Sequence, residues 1–227
     1  MILNLLNAYT YKPTLFKTRY LDNIFGAILS QTLYVPISAV FITVYKGGWK
    51  WKAGYSLYFY LIEKWFLKLG LYKVNWWKTY YTPIFLMVNF FLNDGVYRLL
   101  KDKKKWALAN SQYLSLMVTG ISLLYCTAAG RQLRFGFSRY HSWKEHFMIA
   151  PLYSMVLSFV GVLLSFKEHV IYRVVFLSSC ILFDLLLIKT GILKMKITQI
   201  AGNIPFHIFM IFMSRFLHNS IYKWGAD

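Results

Sequence analysis

Seven apolar stretches alternate with short basic and aromatic turns along the chain. They cover residues 23–45, 53–72, 79–99, 106–130, 147–166, 170–189 and 197–222. At about 1.5 Å rise per residue, a helix of about 20 residues spans the roughly 30 Å hydrocarbon core of a bilayer. Stretches 23–45 and 106–130 contain no charged residue at all. The second and sixth stretches carry Glu63, Lys64, Lys68, Arg173 and Asp184, and read as the least hydrophobic and the most open to a re-entrant path. The turns are rich in Trp and Lys: KGGWKWK at 46–52, Trp76 and Trp77 after the second stretch, and KDKKK at 101–105. Such residues sit at headgroup depth at the ends of spans. Residues 1–22, where Lys12, Lys17 and Arg19 stand among aromatics, read as an interfacial N-terminal segment. The pattern predicts an all-α membrane protein with about seven transmembrane helices.

The second and sixth stretches also resemble each other. Residues 61–73 read LIEKWFLKLGLYK and residues 182–194 read LFDLLLIKTGILK. A shift of 121 carries Leu61 onto Leu182, Glu63 onto Asp184, Lys68 onto Lys189, Gly70 onto Gly191 and Lys73 onto Lys194. Pro36, Pro83, Pro151 and Pro205 fall in the first, third, fifth and seventh stretches, and Pro83 meets Pro205 at a shift of 122. Membrane helices tolerate proline where neighbours satisfy the freed carbonyl. The expectation is two three-helix repeats, residues 23–105 and 147–227, joined by a linker helix and basic loop over 106–146. A single span between the triplets makes the repeats parallel, related by an axis along the membrane normal.

Composition agrees with the membrane reading: 58% of residues are hydrophobic and 15% charged, against about 25% charged in soluble domains. The net charge of +18 is carried mostly between the apolar runs. That placement favours anionic lipid headgroups as partners over nucleic acid, for which no recognition motif is present. Over seven spans the Lys and Arg residues show no bias to either side, so they set no orientation. Cys126 and Cys180 lie within apolar runs and read as buried free thiols, with neither a disulfide framework nor a metal motif. No cofactor is expected. The first residues, MILNLLNAYTYK, lack the cationic start of a secretory signal, and no lipidation motif occurs.

Ionisable groups inside spans are the candidate functional residues, because each costs about 2.5–3.5 kcal/mol at mid-membrane unless paired or neutralised. Glu63 and Asp184 come first. Each precedes a glycine by seven residues on one helix face, and small residues there suit close helix approach. Asn203 and His207 share a face at a spacing of four, and Asn89 lies in the third stretch. Together, Glu63, Asp184, Asn89, Asn203 and His207 would form a solute- or ion-binding site between the repeats. Lys64 is expected to pair with Asp94 or Asp184, and Asp94 to cap its helix or pair with Arg98. Lys68 and Lys189 would snorkel to the interface. The segment SRYHSWKEH at 138–146 holds acid–base residues but no nucleophile elbow, paired carboxylates or metal spacing. It reads as a basic aromatic loop on headgroups, and no enzyme is expected.

The run LIEKWFLKLGLYKVNWW, with Glu63, Trp65, Gly70, Trp76 and Trp77 followed by another span, resembles a family of small multi-pass membrane proteins of endospore-forming Gram-positive bacteria. The resemblance covers residues 33–100. It implies a bacterial inner-membrane protein whose family has no assigned activity. The plan of three spans, a linker and three more is similar to that of small sugar transporters of the SWEET type, as a fold-level analogy without a shared motif. The expected function is a small-solute or cation transporter or channel. The alternative is a non-catalytic sensor or scaffold that binds lipid, protein partners or further copies of itself.

Overall fold

The computed structural model describes residues 6–130, 133–137, 139–167, 169–195 and 200–223. The chain divides into two compact units, residues 1–104 and 105–227. Among the described residues there are seven helices and four short strands. Five of the helices are long and apolar enough to cross a membrane, so this is a helical membrane protein.

The first unit contains β1 (Tyr9–Tyr11), α1 (Arg19–Val44), α2 (Trp49–Lys68), β2 (Tyr72–Val74) and α3 (Tyr81–Lys101). α1 is continuous but widens into a π-helix over Leu29–Tyr34, just before Pro36. Proline cannot donate to the preceding turn and its ring crowds the carbonyl four residues back, so a wider turn there relieves both problems. α2 and α3 pack along each other, and the C-terminal part of α1 packs on α3. β1 pairs antiparallel with β2, placing Tyr11 opposite Tyr72 and Tyr9 opposite Val74.

Residues 6–22, expected as an interfacial segment, are built into the first unit. Asp22 accepts hydrogen bonds from the backbone N–H groups of Thr14, Leu15 and Phe16 at 2.8–3.1 Å. Asn23 Oδ1 accepts from Tyr11 N–H at 2.7 Å. These bonds fold the incoming chain onto the first turn of α1 and satisfy the N–H groups of Tyr11, Thr14, Leu15 and Phe16. Buried Ala8, Tyr9, Tyr72 and Trp77 then form an aromatic core at the strand end of the unit.

The second unit contains α4 (Lys105–Ala129), β3 (Arg134–Phe135), α5 (Trp143–Ser165), α6 (Val170–Lys189), β4 (Leu193–Lys194) and α7 (Ile200–Tyr222). From β3 onward it has the element order of the first unit: strand, helix, helix, strand, helix. β3 pairs antiparallel with β4, with Phe135 opposite Leu193. α4, expected as a linker, packs against both α5 and α7 and shares the unit's core. Glycine permits that packing, because a Cβ at Gly120 would lie 2.4 Å from Ser154 Oγ. Ser154 instead donates to Met117 O at 2.9 Å, and buried Gln112 reaches Ser165 Oγ at 2.8 Å. Such small and polar contacts hold membrane helices together where lipid provides no hydrophobic contrast.

Two expectations about the spans are corrected, and Pro83 lies in the third helix as expected. α6 is among the most apolar helices of the chain rather than among the least. α3 joins α2 in falling short of the apolarity that marks the other five. Pro83 sits in the first turn of α3, where its missing N–H costs no helical bond.

Candidate functional site

The two acids occupy the same place in their local architecture. Gly70, with φ of +72°, lies two residues past the end of α2, and Gly191, with φ of +75°, two past the end of α6. This left-handed position after a helix suits glycine because it has no Cβ. A Cβ built at either glycine would meet nothing within 4 Å. The backbone turn therefore demands glycine here, and close helix approach does not. Beyond the turn the chain enters β2 or β4. Seven residues before it, about 10 Å along the helix axis, stands Glu63 or Asp184.

Asp184 is 0% exposed. Its Oδ1 accepts from the Tyr153 hydroxyl of α5 at 2.5 Å. Its Oδ2 accepts from Asn203 Nδ2 of α7 at 2.6 Å and lies 2.9 Å from His207 Nε2. Asn203 and His207 face it together because they are one turn apart on α7. Tyr153 is held in turn by Phe183, stacked at 5.6 Å between ring centroids, and by Phe135 at 5.0 Å. Three helices thus converge on one carboxyl whose two oxygens are both engaged by protein. The sequence pointed to Asp184, Asn203 and His207 but not to Tyr153, since a tyrosine in an apolar run looks like packing. His207 Nδ1 is buried without a hydrogen-bond partner.

Glu63 is buried in the first unit and arranged differently. Its Oε2 accepts from the Thr82 hydroxyl of α3, and Thr82 Oγ1 accepts from Trp77 Nε1 at 3.1 Å. Shifting Thr82 by 121 gives Asn203, so the third helix satisfies the acid from the same position in both units. The second oxygen, Oε1, is buried and has no partner. The ring cluster beside it stays neutral: burial pushes the Tyr11 hydroxyl up to about 12, and the charge of Glu63 adds to that rise. Tyr11 and Ser30 hydroxyls lie 3.0 Å apart, and Gln31 Nε2 donates to the Tyr9 hydroxyl at 2.5 Å.

A third polar group was not expected. Lys52, read from sequence as part of a cationic turn, is 3% exposed. Its ammonium pairs with Asp94 Oδ2 and sits 4.2 Å from the centroid of the Phe91 ring. Thr43 donates to the other Asp94 oxygen at 3.0 Å. Asp94 therefore joins α1, α2 and α3, while Arg98 reaches only its backbone carbonyl, at 3.4 Å. Lys64 is exposed, with its ammonium 5.4 Å from the centroid of the Tyr60 ring, in place of the carboxylate pair expected for it.

The remaining candidates fall elsewhere. Asn89 is exposed on α3, seven residues beyond Thr82, and joins none of these groups. Cys126 is exposed and only Cys180 is buried. Within 138–146, Ser142 and Glu145 form a capping box that starts α5, and the Arg134 guanidinium lies 3.8 Å from the centroid of the Trp143 ring. Ser138 and Arg131 lie outside the described residues. Among the described residues, no three His, Cys, Asp or Glu side chains gather where they could hold a metal ion. The hydrogen bonds of Glu63 stay within residues 1–104 and those of Asp184 within 105–227. No protein-family model matches the chain, and no curated protein or solved structure is detectably similar to it.

Proposed function

We propose that the chain is a non-catalytic membrane scaffold that engages lipid headgroups or protein partners, and that its buried acids serve as structural locks. One observation carries this reading: Asp184 is fully buried and both its oxygens are engaged by side chains of its own unit. A carboxylate held in that way has no open position for a passing ion or solute. In this reading all seven helices cross the cell membrane. α2 and α3, at 20 and 21 residues, are long enough, and the pairing of Lys52 with Asp94 and of Glu63 with Thr82 lowers the cost of their polar residues.

The same reading takes the two three-helix sets as parallel copies of one ancestral unit. Support comes from the two left-handed glycines, from Tyr72 and Leu193 holding the same place in their strand pairs, and from the Thr82 and Asn203 bonds, all at a shift of 121. The test is ion flux in proteoliposomes, read with a pH-sensitive dye and with a potassium-sensitive one. A scaffold gives flux no greater than empty vesicles for both ions.

One observation favours transport as a second reading: Glu63 Oε1 is buried without a partner, as a proton- or cation-binding oxygen would be between events. Flux above background that Glu63→Gln abolishes would establish that reading and remove the scaffold.

A further inference from the structure

A lipid-facing helix satisfies its polar side chains within itself or against a neighbour, because hydrocarbon offers them nothing. Ser38, Ser122 and Ser179 do so locally, each donating to the backbone carbonyl four residues earlier. Asn89 of α3 does not: its amide is exposed and makes no hydrogen bond with any described residue. Asn89 stands two residues from Phe91, the midpoint of Tyr81–Lys101. A crossing α3 therefore holds this amide at a depth that water does not reach.

The residues around it form a seam. Phe85, Asn89, Leu92, Val96 and Leu99 are spaced by four, three, four and three residues, the repeat that keeps one stripe turned toward a partner helix. The first four are exposed and Leu99 is half-buried. The opposite face is used within the unit, where Phe90 packs on Ala39 and Ile42 of α1 and Asp94 bonds to Lys52 and Thr43. The second unit covers its matching face. A shift of 121 carries Phe85 onto Phe206 and Asn89 onto Met210, both buried in that unit's core. Met210 lies against α4, since a Cβ at Gly120 would fall 3.1 Å from Met210 Cε, and Gln112 of α4 donates to Ser214 O at 3.2 Å. Among the described residues of the first unit, no helix takes the place of α4.

We propose that this seam is the interface between two copies of the chain, with α3 packed in parallel on its symmetry mate and the two Asn89 amides hydrogen-bonded to each other. Copies inserted in the same direction are related by a two-fold axis along the membrane normal, which sets each seam residue opposite its own copy. An amide carries both donors and an acceptor, so Asn89 is its own complement. Leu92 and Leu99 alternate along the seam with Asn89 and Val96. Leucine at one repeat position, with valine and a single asparagine at the other, favours two parallel strands and fixes their register. The proposal rests on the reading above that α3 crosses the membrane, and it names a second copy as the protein partner.

The test uses the full chain in phosphatidylcholine vesicles, in a Cys126→Ser background. Copies labelled at Lys101→Cys with a donor or an acceptor dye are diluted stepwise with lipid, and energy transfer between them gives a dissociation constant. Asn89→Leu, which suits a lipid-facing position and is expected to fold, should weaken association by about 3- to 20-fold, the range of one hydrogen bond between membrane helices. Asn89→Gln, which keeps an amide, should lose less. Single cysteines locate the face. Oxidation should join copies through Leu92→Cys or Val96→Cys, but not through Ile84→Cys or Phe91→Cys, which are exposed on the flank of α3. Joining through the flank instead overturns the proposal. So does energy transfer that Asn89→Leu leaves unchanged, or its absence in the parent chain, which would leave the face to lipid or to another part of the chain. The crossing of α3 is checked apart from this. At high lipid dilution, where copies are separate, an impermeant maleimide should not reach Val88→Cys. Labelling there would overturn the crossing and the proposal together, whereas protection without energy transfer overturns the pairing alone.

Discussion

A carboxyl group cut off from water takes its donors from the protein or stays costly. Asp184 has three, and each can be removed separately. Tyr153→Phe deletes one donor without opening a cavity and should cost about 0.6–1.7 kcal/mol, the range of a membrane-buried hydrogen bond, measured by unfolding in detergent. The Lys52–Asp94 pair makes a different prediction. Lys52→Met strands a half-buried carboxylate and should destabilise by about 3 kcal/mol. Adding Asp94→Leu should recover most of that loss, because a buried ion pair is worth little more than apolar residues of similar size. A double variant no more stable than the single would place the value of Asp94 in its bond to Thr43. The sequence revealed the acids because charge inside an apolar run is conspicuous. It hid Lys52, whose neighbours Trp49, Lys50 and Trp51 look interfacial, and it hid Tyr153, whose hydroxyl carries no sequence signal of its partner.

At the scale of elements, what ends a helix matters as much as what fills it. Gly191→Ala forces a Cβ into left-handed backbone where space is open, so its cost is the backbone term alone, about 1–2 kcal/mol. A larger loss in the unfolding midpoint would mean a contact that the geometry does not contain. The helices themselves were legible from runs of apolar residues. The strands were not, since each spans two or three residues and pairs with a segment about 60 positions away, and no local periodicity exists at that length. α6 looked less hydrophobic than it is because Asp184 and Arg173 draw the eye from the rest of VIYRVVFLSSCILFDLLLIK. The crossing of α4 is open to direct test. Cysteines placed at Lys103 and at Tyr140, which is 79% exposed, flank that helix on its two sides in sequence. In a Cys126→Ser background, an impermeant thiol reagent should label them from opposite faces of the membrane. Labelling from one face would remove α4 as a span.

Over the whole molecule, the two units answer one design problem with different side chains. Each turns at a left-handed glycine, ties two short strands together, and satisfies a buried acid from the third helix. The first unit leaves one Glu63 oxygen unmatched but neutralises Lys52. The second encloses Asp184 completely but exposes Arg173. The claim beneath this account is that Asp184 is a structural lock and not a binding site awaiting a ligand. The unfolding midpoint of Asp184→Asn, in detergent without added ligand, measures it most directly. The substitution keeps the shape and replaces an accepting oxygen with a donor among Tyr153, Asn203 and His207. The lock predicts a midpoint lowered by at least about 2 °C. A midpoint unchanged or raised would show a charge held at a cost for function, and would contradict the account.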